Sequence, residues 1–197
     1  MQDTITIVTG READPETHRA AEAVFWETAY TAQFDSPRER DAFERRYFSY
    51  YRELAPELFL IARDAEGATL GYICAVADTR AHRELYALAA HVPLFDDLYT
   101  DYPSHLHINL TARARGRGVG GLLIADLEQR LLAAGSTGLH LVTSPGARNV
   151  RFYHRNGFTD AVERELNDQE GTVALLFLGK PLSSAPSAYS NDMRGKR

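Results

Sequence analysis

The chain has 197 residues, 44% of them hydrophobic and 25% charged, which is enough for one domain with a proper core and too few for two full ones. Its single cysteine, Cys74, excludes an internal disulfide and points to a reducing compartment, and a net charge of −5 argues against nucleic acid as the partner. With no basic, apolar N-terminal segment and no long apolar run, neither a secretory signal nor a membrane span is expected, and the expected location is the cytoplasm.

Thr4 to Val8 alternates and reads as a first strand. Asp14 as N-cap, with Pro15 at the first helical position, opens a helix through Ala20, Val24, Phe25 and Thr28. Ser36-Pro37-Arg38-Glu39 is a capping box and predicts a second helix from about Pro37 to Leu54, unusually crowded with Tyr47, Phe48, Tyr50 and Tyr51. Leu58 to Arg63 and Thr69 to Ala77 flank Asp64-Ala65-Glu66-Gly67 as a hairpin. A short helix is expected from Thr79 to Ala90, and His91 to Ser104, with Pro93 and Pro103, as an irregular loop beside a binding cleft.

The apolar strand Leu106 to Leu110 then runs into Arg115-Gly116-Arg117-Gly118-Val119-Gly120-Gly121 and an amphipathic helix marked by Val119, Leu122, Leu123, Leu127 and Leu131, with Gly135 at its C-terminal cap. Such a strand-to-helix junction grips a pyrophosphate: glycines at 116, 118, 120 and 121 clear the approach, and the helix N-terminus supplies unpaired N–H donors. Gly116 to Gly121 also matches the dinucleotide fingerprint. That reading needs an acidic residue closing the next strand, where Gly138 to Thr143 is followed instead by Ser144 and Pro145. A helix from Arg148 to Asn156, stopped by Gly157, and two closing strands, Phe158 to Leu166 and Thr172 to Leu178, complete a domain over residues 1–182. From Ser183 the polar sequence reads as a flexible tail.

Together, the glycine loop and Asn149, Phe152, Tyr153, Arg155, Gly157 and Phe158 some thirty residues later resemble the GNAT superfamily of acyl-CoA-dependent N-acetyltransferases. Arg115, Gly118 and Gly120 occupy the fixed positions of that family's pyrophosphate loop. Two shorter stretches, Gly71 to Thr79 and Tyr102 to Leu110, are similar to the acetyltransferase-like domain of O-GlcNAcases and its free-standing bacterial relatives. The resemblance implies an α/β (α+β) fold with a mixed, mostly antiparallel sheet of about seven strands, splayed between strands 4 and 5 and flanked by helices. It implies acetyl-CoA as cofactor, held by Arg115, Gly116, Arg117, Gly118, Val119, Gly120, Gly121, Asn149, Phe152, Tyr153 and Arg155, with main-chain partners at Ile108 and Leu110. It also implies an amine acceptor, small or protein-borne, and a homodimer.

Residues 113–155 carry seven arginines against Asp126 and Glu128, which suits a phosphate-rich cofactor, while the acidic remainder mildly favours a cationic amine. Acetyl transfer from a thioester to an amine proceeds by direct attack in a ternary complex and needs no nucleophilic residue, so Cys74, in an apolar strand, reads as a core thiol. The resemblance puts Tyr153 beside the thioester sulfur as proton donor. His105, His107 and Asn109 share one strand face, with His107 the candidate base and the main chain near Asn109 and Leu110 the candidate oxyanion donor. For the acceptor, Trp26, Tyr30, Tyr47 and Tyr51 are candidate lining residues, and Glu27, Asp78 and Asp97 candidate carboxylates for a cationic amine; no metal is expected. The competing expectation is an acyl-CoA-binding pseudoenzyme or interaction module without turnover.

Overall fold

The computed structural model describes residues 4–168 and 171–183, so the expected tail lies outside the described residues but for Ser183. Seven strands form one sheet in the order β1-β2-β3-β4-β5-β7-β6: β1 Thr6–Thr9, β2 Phe59–Arg63, β3 Thr69–Val76, β4 Ser104–Leu110, β5 Gly138–Thr143, β6 Asp160–Asp168 and β7 Gly171–Pro181. Every neighbouring pair is antiparallel except β4 and β5, which run parallel.

Helix starts follow their capping residues. Asp14 accepts the Thr17 N–H at 2.7 Å and Pro15 fills the first turn, so α1 spans Pro15–Thr28. Ser36 accepts the Glu39 N–H at 3.2 Å, while the Glu39 carboxylate reaches back to the Asp35 N–H at 2.6 Å, one residue before the usual partner. The helix expected from Pro37 to Leu54 is interrupted: α2 (Pro37–Glu44) passes through a π-helical turn, Arg45–Ser49, into α3 (Tyr50–Leu54). Further on, the helix expected over Thr79 to Ala90 divides into a 3-10 turn, Thr79–Ala81, and α4, Arg83–Leu88. The stretch expected to be irregular contains α5 (His91–Leu94) and a second 3-10 turn, Asp96–Leu98. Arg80 grips Asp96 and Arg164 grips Asp97 at 2.6 and 2.7 Å, which gives this segment the order that its prolines and aspartates conceal.

Both faces of the sheet are covered. On one face α6 (Val119–Ala133) packs Leu123, Leu127 and Leu131 against Leu60, Leu70, Ile73 and Leu139. On the other, α1, the interrupted helix and α5 pack Phe25, Phe48, Tyr51 and Phe95 against Phe59, Tyr72, Cys74 and Phe177. The central β3 is therefore buried at every position, and each large apolar side chain removed from water contributes about 1.5–3 kcal/mol. Gly135 and Gly157 end α6 and α7 (Val150–Arg155) with φ of +83° and +87°, as their positions predict.

Gly138, at the start of β5, sits against the segment before β4, where a Cβ would lie 2.1 Å from the Asp101 carbonyl oxygen. Nothing at that contact can yield except backbone. Gly138→Ala is expected to lower the unfolding free energy by about 1–3 kcal/mol, read as a lower denaturant midpoint at unchanged slope.

Candidate active site

The parallel pairing of β4 with β5 is brief: Ser104 opposes Leu139, His105 opposes His140, and beyond them the strands part. Ladder alternation then decides which backbone groups are free. Thr111 N–H donates to the Leu70 carbonyl at 2.9 Å, so the main-chain groups of Asn109 and His107 also turn toward β3, while those of Ile108 and Leu110 turn into the gap. Ile108 and Leu110, expected to offer main-chain partners to the cofactor, thus have backbone groups that β3 does not use. For the oxyanion, only the Leu110 N–H remains, since the Asn109 N–H is taken up by β3.

Beside this gap lies a cavity of about 700 Å³, lined by Ile108, Leu110, residues 114–116 and 118–121 of the glycine loop, and one face of α7. Gly116 and Gly118 adopt φ of +76° and +77°, a region that costs other residues about 1–2 kcal/mol, and any Cβ there would meet only open space. Gly118 is the N-cap of α6 and offers no side chain, so the first-turn N–H groups of Val119, Gly120 and Gly121 have no intrahelical carbonyl partner. Arg115, Arg148 and Arg155 ring the same cavity. A loop of this kind, lined by N–H donors and arginines with a fifteen-residue helix behind it, fits the pyrophosphate of coenzyme A.

Gly120 lines this cavity and also lets α6 and α7 touch, since a Cβ on it would lie 2.8 Å from the Phe152 ring. Phe152 in turn meets the Tyr153 ring edge to face at 5.2 Å. Asn149 stands at the N-cap of α7 without a side-chain cap bond, and its Oδ1 accepts from Thr143 Oγ1 at 3.4 Å.

A second cavity, about 740 Å³, lies on the far side of the gap and is lined by Thr28, Tyr30, Phe43, Tyr47, His91, His107, Asn109, Val142, Val173 and their neighbours. Ile108, Asn149 and Tyr153 line both cavities. Tyr153 is 6% exposed, its hydroxyl has no hydrogen-bond partner among the described residues, and burial pushes its pKa up to about 12. The phenol is thus a protonated group at the junction of two chambers.

His107 faces the second cavity, with its Nε2 hydrogen-bonded to Tyr51 Oη at 3.0 Å and its ring held edge-on by Tyr47 and Tyr51. Burial, with His91 and His140 adding repulsion, lowers its pKa to about 3, and His91 falls to about 4. Beneath them His105 stacks on His140 at 5.0 Å, and neither ring nitrogen of His105 has a hydrogen-bond partner among the described residues. A neutral imidazole is therefore present, but one too weakly basic to take a proton from an ammonium efficiently. That low pKa weighs against His107 as the base. Asn109 is fastened rather than reactive: Nδ2 donates to Thr28 Oγ1 at 2.6 Å and Oδ1 accepts from Tyr72 Oη at 3.0 Å.

Of the expected acceptor residues, only Tyr30 and Tyr47 line the second cavity. Trp26 packs into the aromatic core against Phe25 and under the Arg40 guanidinium, and Tyr51 is wholly buried behind His107. Glu27 is exposed on α1 away from either cavity. Asp78 caps the turn that begins at Thr79, accepting the Arg80 N–H, and Asp97 is paired with Arg164. Arg117 lines neither cavity, and Arg113 and Arg130 are paired with Asp64 and Asp126. The sequence reading passed over Arg148 and Asn156 as cofactor contacts and Phe43, His91 and Val173 as acceptor lining; their signal, position at the open ends of β5, β7 and α7, exists only once the splay is known.

A model of the "Acetyltransferase (GNAT) family" matches residues 23–158 of the chain. Solved structures share the fold: SsHAT at 22% identity and a TM-score of 0.67, covering 91% of this chain and 99% of that one; an agmatine N-acetyltransferase at 14% and 0.64, covering 90% and 99%; and a phosphinothricin acetyltransferase from Sinorhizobium meliloti, in complex with AcCoA, at 19% and 0.56, covering 95% and 93%.

The histidine layer sets a pH dependence of stability. His91, His107 and His140 are held at about 4, 3 and 3 by burial, below the ~6.5 of an unfolded chain. Between those values the unfolded chain binds more protons, so stability is complete above about pH 6.5 and is lost as pH falls. Unfolding free energy is expected to drop by about 1 kcal/mol or more per pH unit from 6.5 to 4.5, and a flat profile would refute the neutral-histidine assignment.

Proposed function

Because the chain belongs to the acetyltransferase (GNAT) family, which uses acetyl-CoA, we propose that it transfers an acetyl group from acetyl-CoA to a primary amine by direct attack, with Tyr153 as the proton donor. The observation that carries this reading is the meeting of the two cavities at Ile108, Asn149 and Tyr153. One chamber suits the phosphate and pantetheine of acetyl-CoA, the other an acceptor, and Tyr153 alone among the three has a proton to give at that junction.

Acetyl-CoA supplies the activated thioester. The chain's residues then act in turn: first-turn N–H groups at Val119, Gly120 and Gly121, with Arg115, Arg148 and Arg155, hold the phosphates, and the Leu110 N–H offers a donor to the carbonyl oxygen. With acetyl-CoA bound, the amine nitrogen would bond to the carbonyl carbon as the carbon–sulfur bond breaks; Tyr153 would give its proton to the sulfur, the amine's proton would leave to water, and Tyr153 would regain a proton from water. No strong base is needed if the amine enters neutral, and burial favours the neutral form of an ammonium as it does of His91 and His107. The narrower likeness, over Gly71 to Thr79 and Tyr102 to Leu110, falls largely on β3 and β4 with the segments flanking them. It supports shared strand packing, and the acceptor is not argued from it.

Two measurements test this. Calorimetry should find acetyl-CoA bound by the wild type and lost in Gly118→Trp, whose side chain points into open space and spares the core. Tyr153→Phe should bind acetyl-CoA unchanged and lose about 100-fold or more in kcat; equal kcat would remove Tyr153 from the reaction, and absent turnover in the wild type would leave a binding module. With the phenol at about 12, kcat should show no alkaline limb up to pH 10.

A further inference from the structure

We propose that the acceptor is an arylalkyl monoamine, an aromatic ring on a short chain ending in a single primary amine, and that molecules with a second cationic group are turned away. This rests on the acetyl-transfer reading and extends it to the substrate class. Among the described residues that line the second cavity there is no aspartate, glutamate, lysine or arginine. The carboxylates that could have held a second cation are elsewhere: Asp97 on Arg164, Asp78 on the Arg80 N–H, Glu27 on open surface. The two histidines of the lining are half-buried, and desolvation lowers both pKa values, so neither carries a charge near neutral pH.

What the cavity offers instead is aromatic and aliphatic surface with the uncharged polar groups of Thr28, Asn109, Thr143, Ser144 and Asn149. Tyr30 stands 77% exposed at the mouth, its ring meeting Phe43 at 5.1 Å and Tyr47 at 6.0 Å, and Tyr47 continues edge-on to His107 at 5.2 Å. Leu106, Leu141, Val142 and Leu175 close the other side. A row of ring edges and faces this long fits an aromatic body, whose own ring gains both area burial and offset or edge contacts. A guanidinium or second ammonium in the same place would be desolvated with no counter-charge, a penalty that a released water or a neutral imidazole cannot offset.

The test compares kcat/KM, by release of the coenzyme A thiol, for phenethylamine and tryptamine against agmatine and spermidine. The expected result is at least about 100-fold preference for the aromatic monoamines. In Tyr30→Glu, which adds a carboxylate at an exposed position of the rim, agmatine should gain about three- to fivefold relative to phenethylamine. Agmatine or spermidine preferred by the wild type would overturn the proposal while leaving acetyl transfer intact; an unshifted ratio in Tyr30→Glu would overturn the placement of the acceptor here. Acetyl-CoA bound but no amine acetylated would sink both readings.

Discussion

Everything functional in this protein depends on two strands that stop pairing. β4 and β5 make contact through Ser104, Leu139, His105 and His140 and then diverge. A sheet normally hides its main-chain donors and acceptors in ladders; here divergence leaves Ile108 and Leu110 facing outward from the middle of a sheet, not from its edge. The opening is held from both sides, because β4 is stitched to β3 along its length and β5 to β7 from Gly138 to Thr143. α7 lies over the gap, and its Tyr153 reaches the point where the two chambers meet.

Around that opening, charged residues among those described line one chamber and not the other. Arginines and unpaired N–H groups gather at the glycine loop, while the other chamber is walled by rings, aliphatic side chains and histidines held neutral by burial. The low pKa of His107 goes with the packing that positions it, since Tyr47 and Tyr51 brace the ring and leave only part of it open to the cavity.

The cofactor half was legible in the sequence because it is local. A glycine loop between an apolar strand and an apolar-striped helix is one continuous segment, and the Asn149 to Phe158 stretch sits on one short helix. The acceptor half is assembled from α1, the π turn, α5, β5 and β7, so periodicity could name aromatic candidates without telling which face turned inward. Trp26 and Tyr30 are four apart on the same reading, yet one is core and the other rim. The π turn at Arg45–Ser49 carries no marker in its residues, and the order of the segment from His91 to Ser104 comes from Arg80 and Arg164, distant in sequence. Glu27, Asp78 and Asp97 misled for a related reason: a carboxylate's partner is invisible until the chain is folded.

Among the described residues only Ile108, Asn149 and Tyr153 belong to both chambers, and that small overlap bears on how such a protein can diverge. Substitutions at Tyr30, Phe43, Val142 or Val173 touch nothing that grips the donor, and effects at sites without shared partners combine nearly additively. A lineage can therefore exchange one acceptor for another by drift in one wall while its donor half is inherited whole. The three shared residues are the exception, where any change must satisfy both guests at once.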